Sequence, residues 1–160
     1  MNSNKDIEKI YWDLFRAKFK KTVAHFVNHQ HNYIEVIDAY DDYAWVYFPK
    51  YIYSDNLGDY IELKNNGFFC AKILINKNNL TITEYNFVYR NSSLIINNSE
   101  FKIHYDKIQD EDVCADHPKQ HLQTTIKNIR FPTNEIEFPT FLDLINHQFT
   151  EQNIKKSNKL

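Results

Sequence analysis

Glycine is nearly absent from this 160-residue chain, which contains only Gly58 and Gly67. There is therefore no Walker A loop and no GxGxxG turn, which excludes phosphate cradling by a glycine-rich loop. Arginine is scarce too, with Arg16, Arg90 and Arg130 alone, and the formal net charge is -2. No global basic field is available to hold nucleic acid by counterion release. Two cysteines, Cys70 and Cys114, match no CxxC pattern. Cys70 follows Phe68-Phe69 and reads as a small buried hydrophobe, while spacing alone leaves a disulfide to Cys114 open. No run approaches the roughly 18 apolar residues of a membrane span, and residues 1–6 hold no apolar signal core. The expectation is a cytoplasmic protein in a reducing compartment, with no membrane association.

Aromatic residues are abundant: 12 Phe, 11 Tyr and 2 Trp. Such residues favour a pleated, half-buried surface, so their number points to a sheet before it points to any function. The length allows one domain, expected over residues 1–154 with a loose tail at 155–160. Charge is uneven. Residues 1–32 carry six Lys or Arg against three acids, and residues 33–64 carry two against seven. A solvated helix face with acidic turns explains this, and a partner-binding patch is the alternative.

Ile7, Ile10, Tyr11, Leu14, Phe15, Val23, Phe26 and Val27 recur at spacings of three and four. They predict one amphipathic helix over residues 4–28, capped by Ser3 or Asn4. From Tyr33 the period becomes two. Strands are expected over 33–40, 43–53, 60–63, 68–75, 80–90, 100–105 and 121–130, separated by Asn-, Asp- and Gly-containing turns. Pro49 inside the second implies an edge or a bulge. A closing helix over 140–152 carries Phe138, Phe141, Leu142, Ile145 and Phe149 as one stripe, with Pro139 at its start. The fold class is α+β, an antiparallel β-meander sheet flanked by a long N-terminal helix and a C-terminal helix.

Polar chemistry concentrates between Phe101 and Pro132. His104, His117 and His121 titrate near neutral pH, and Tyr105 and Arg130 lie in the same stretch. Brought into one cleft, these five residues could cleave a phosphodiester without metal. One imidazole would activate a ribose hydroxyl and another would protonate the leaving oxygen, while Arg130 or Lys119 would stabilise phosphorane charge. Taken singly, each histidine is better explained as satisfying backbone at a strand end or capping a loop. A metal reading combines His117 and His121 with Asp106, Asp110, Asp112 or Asp116. Pro118 directly after His117 departs from the zincin pattern, and the acidic loop lacks the calcium-loop glycine. No metal or other cofactor is therefore expected. His25 and His29 are spaced i, i+4 and suit either a helix C-terminus or a metal pair.

The motif Tyr105-Asp106, His117-Pro118, His121-Leu122, Arg130 and Pro132, followed by the helix after Pro139, resembles a group of small bacterial proteins that includes the TumE-like toxin–antitoxin family. This chain has Gln123 where relatives of this look often show another histidine, and Asp116 where TumE-like proteins often double the histidine. The resemblance implies a role in bacterial defence or toxin–antitoxin biology. The expected function is a metal-free RNA-directed toxin using the histidine cluster, with RNA as substrate and a cognate antitoxin or defence-complex subunit as protein partner. The alternative is a non-catalytic adaptor or immunity subunit of a defence complex, which the abundant tyrosines suit.

Overall fold

The computed structural model describes residues 1–49, 60–96, 98–108, 118–125 and 130–147. Ser3 opens the first helix, α1 (Asn4–Phe19), through a capping box: its hydroxyl accepts from the Asp6 amide, and the Asp6 carboxylate accepts from the Ser3 amide. Ile7, Tyr11, Trp12, Phe15 and Phe19 form its buried stripe. The helix stops well short of residue 28 although the apolar spacing continues. Thr22 and Ala24 bond instead to the backbone of Lys64 and Glu62, and Val23 forms a bridge with Leu63. The sheet edge thus supplies hydrogen bonds that a longer helix would have kept for itself. Phe26 is half-buried by stacking on Trp12 at 6.0 Å rather than by a helical stripe. His25 and His29 therefore do not share a helix face; His29 stacks on His31.

Eight described strands make one antiparallel sheet: β1 (Glu35–Asp38), β2 (Tyr43–Phe48), β3 (Ile61–Glu62), β4 (Gly67–Asn76), β5 (Ile82–Ile96), β6 (Ser99–Lys107), β7 (Gln120–Thr124) and β8 (Arg130–Pro132). The order across the sheet is β1-β2-β4-β5-β6-β7-β8, with β3 also paired to β4. The chain is α+β, as its periodicities predict. The strand expected over 121–130 divides into β7 and β8, which pair with each other through His121–Pro132 and Gln123–Arg130. The second helix, α2 (Phe138–Leu144), begins earlier than expected, with Pro139 in its first turn. Residues 50–53 of the second expected strand, Cys114 and the tail at 155–160 lie outside the described residues. Among the described residues no helix is long and apolar enough to cross a membrane.

Alternation gives the sheet two chemically different faces. Phe69, Ala71, Ile73 and Ile75 of β4 and Tyr85, Phe87 and Tyr89 of β5 are buried on the face covered by α1 and α2. Phe138 of α2 packs on Phe48 at 5.0 Å and on Phe87 at 5.4 Å. Lys18 of α1 bonds both carboxylate oxygens of Asp143, at 2.6 and 2.7 Å, tying the two helical segments together. Cys70 departs from its reading as a core residue; it is half-buried on the other face.

A buried polar network closes one end of this core. The Tyr89 hydroxyl accepts from the side-chain amides of Asn91 at 2.8 Å and Asn65 at 3.1 Å. Gly67 sits against it: a Cβ there would lie 2.7 Å from both Asn65 Oδ1 and Tyr89 Cε2. Gly67→Ala is therefore expected to cost about 1–3 kcal/mol by overpacking, read as a lower urea midpoint with unchanged slope. A loss under about 0.5 kcal/mol, the range of an ordinary surface change, would show that the ring has room to move.

Candidate functional site

Strand pleating decides which polar residues meet. Cross-strand partners share a face, and neighbours along a strand point to opposite faces. Asn86 of β5 pairs with Asp106 of β6, which pairs with His121 of β7. The adjacent row holds Val88, His104, Gln123 and Arg130. Both rows lie on the face turned away from α1 and α2. Tyr105, between His104 and Asp106, points to the helix side, where its ring meets Phe141 edge-on at 5.8 Å.

Asp106 is the hub. Its Oδ1 lies 3.0 Å from His104 Nε2 and accepts from the Asn86 amide at 2.7 Å. Its Oδ2 lies 3.2 Å from His121 Nε2. The Asn86 amide also touches His104 Nε2. One carboxylate thus joins two imidazoles from adjacent strands. Burial pushes the Asp106 carboxyl up, but the His104 bond and the His104, His121 and Asn86 interactions outweigh it and hold it below its ordinary value.

The two histidines differ in what they have left to offer. His121 is 0 % exposed, and its Nδ1 lies 2.9 Å from the Pro118 carbonyl, so both ring nitrogens face protein atoms. The His104 side chain retains 15 % exposure, but its Nδ1 is itself covered, without a hydrogen-bond partner among the described residues. A bond from an imidazole N–H to a carboxylate is roughly twice as strong as one between neutral groups. His104 Nε2 meets both the Asp106 carboxylate, which a proton on Nε2 would serve, and the Asn86 amide, which a lone pair there would serve.

Beside this pair runs an open cleft of about 480 Å³ lined by Arg90, Ser99, Glu100, Lys102, Gln123, Thr124 and Thr125. Gln123 belongs to both features, as a cleft residue and as the register partner of His104. Arg90 is held by Glu100, with Nη2 and Nε at 2.5 and 2.9 Å from Oε2. Two of the chain's three arginines, Arg90 and Arg130, thus belong to this face.

Of the five residues expected to act together, the structure unites His104 and His121 through Asp106 and places Arg130 in the row of His104. Tyr105 is on the opposite face, and His117 lies outside the described residues. Asp106 enters as the carboxylate that both imidazoles face, at 3.0 Å from His104 Nε2 and 3.2 Å from His121 Nε2. Among the described residues no group of three His, Cys, Asp or Glu side chains is arranged to hold a metal ion. Asn86 went unnoticed in the sequence. Its one signal is a carboxamide in mid-strand, away from any turn, where burial demands hydrogen-bond partners. Comparison with protein-family models, curated proteins and solved structures finds no match to this chain.

Proposed function

We propose that the chain is a metal-free RNA-directed toxin of a bacterial defence or toxin–antitoxin system, with His104 as its general base. The observation that carries this reading is the His104–Asp106 pair, in which the carboxylate orients an imidazole whose Nδ1 is unpartnered among the described residues. In this mechanism His104 holds its proton on Nε2 toward Asp106, and Nδ1, covered in this structure, is uncovered as the strand binds and takes the proton of a ribose 2′-hydroxyl. The 2′-oxygen attacks phosphorus and the bond to the 5′-oxygen breaks. That oxygen leaves with a proton from a second acid, for which His117 is the sequence candidate, while Arg130 or Lys102 offsets phosphorane charge. Asp106 acts through His104 and is a positioning residue.

Tightly induced expression in a bacterial host tests this reading, comparing wild type with His104→Gln after circular dichroism shows matching folds. Wild type is expected to arrest growth and degrade cellular RNA, and the variant to lose both effects, consistent with about 10²–10⁴-fold from one general base. Equal arrest by the folded variant would remove His104 from the mechanism. The second reading, a non-catalytic binding subunit, draws on the hairpin tip between β5 and β6, where Ile95 and Ile96 are 62 % and 44 % exposed. It expects wild type and His104→Gln to behave alike.

A further inference from the structure

Residues 16–21 read Arg-Ala-Lys-Phe-Lys-Lys, without an acid. Lys18 is taken up by Asp143. Arg16, Lys20 and Lys21 are exposed, and none has an ion-pair partner among the described residues. They line a cleft of about 540 Å³ at the end of α1, to which Thr22 and Asn146 add a hydroxyl and an amide. Asp13, the one acid of the lining, is bonded to Lys9 at 2.7 Å.

A cation in the last helical turn complements the helix dipole, and Lys18 already does so. The dipole places about half a negative charge at the helix end, against three full positive charges, so the cleft is net positive by a wide margin. The lining also bears on which anion fits. Stable protein partners insert a large apolar or aromatic anchor, and nothing larger than Ala17 is available here among apolar side chains. Arg, Lys, Thr and Asn are the side chains that hold sugar–phosphate backbones.

We propose that this cleft binds the phosphate groups of a nucleic-acid strand. It lies on the helix side of the sheet and the His104 face lies on the other, so a strand held here leaves that face unoccupied. The inference stands whether or not His104 is catalytic.

Fluorescence anisotropy with a labelled single-stranded RNA of about 20 nucleotides tests it. The proteins compared are wild type, Arg16→Gln/Lys20→Gln/Lys21→Gln and Lys5→Gln, an exposed α1 lysine outside the cleft, each confirmed as folded. Three phosphate contacts on a single strand predict a log–log salt slope of about −2. The triple variant is expected to bind at least about tenfold more weakly, with a slope near zero, and Lys5→Gln to bind like wild type. Equal affinity of the triple variant, or no wild-type binding at low salt, would overturn the assignment. So would displacement of the RNA by an oligoglutamate peptide as effectively as by unlabelled RNA, since that would mark a general polyanion surface.

Discussion

Phe15→Ala is expected to lower the unfolding free energy by about 3–5 kcal/mol, the usual range for emptying a buried phenyl site. Phe15 is 0 % exposed, and its ring lies 5.3 Å from Phe19, 5.4 Å from both Tyr33 and Phe48, and 6.4 Å from Phe69. It joins α1 to β2 and β4 at once, so neighbours on three elements would need to move together to fill the void. Against a typical total stability of about 5–15 kcal/mol, the loss leaves little reserve. Urea unfolding followed by tryptophan fluorescence checks this, with Ile10→Ala as the control. Ile10 is 47 % exposed on the same helix, and its replacement should stay within about 0.5 kcal/mol. Matching midpoints for the two variants would mean that α1 is not seated on the sheet through Phe15.

The second large effect belongs to Asp106. Asp106→Ala removes the acceptor of the Asn86 amide and the carboxylate facing His104 and His121. Each buried donor left unmatched costs about 1–3 kcal/mol, and breaking a buried charged pair about 3–5 kcal/mol. A loss of about 3–5 kcal/mol at pH 7 follows. The pH dependence has a definite sign. The fold lowers the Asp106 pKa, so its contribution is complete above the unfolded carboxylate value of about 3.9. It fades as pH falls through the lower folded value, because the unfolded state then binds the proton more readily. The alanine variant has no carboxyl to protonate, so its deficit against wild type should shrink below about pH 4. Urea titrations of both proteins at neutral pH and in acid measure that gap. A gap constant into acid would mean that the carboxylate charge does not hold this cluster together.

The alternation from Tyr33 onward is enough to place β1 to β7, though not to separate β8 from β7, and the turns follow from side-chain chemistry; Asn66 and Asn98 adopt the left-handed backbone that asparagine tolerates. The end of α1 was hidden because Val23 and Phe26 continue a helical spacing that only the backbone demands of β3 and its flank override. His104 and His121 could be nominated from their chemistry, but their meeting depends on the register of β6 against β7. Alternation does not encode that register, since either strand keeps its own faces in several pairings. Tyr105 is turned from His104 by the pleat alone, because the two are neighbours along β6 and point to opposite faces. Asn86 was illegible for a related reason: a lone amide in a strand acquires meaning only when its cross-strand partner is a carboxylate.

The position of α1 ahead of every strand has a consequence for synthesis. The helix leaves the ribosome before the sheet, carrying Ile7, Phe15 and Phe19, and Phe141 of α2, which packs on the same core, follows about 120 residues later. At about 5–20 residues per second, the nascent chain spends roughly 6–24 s before this core can be completed. Throughout that interval a greasy helix has only part of its destination available. The demand on chaperones should therefore arise once α1 is out and be relieved when α2 emerges.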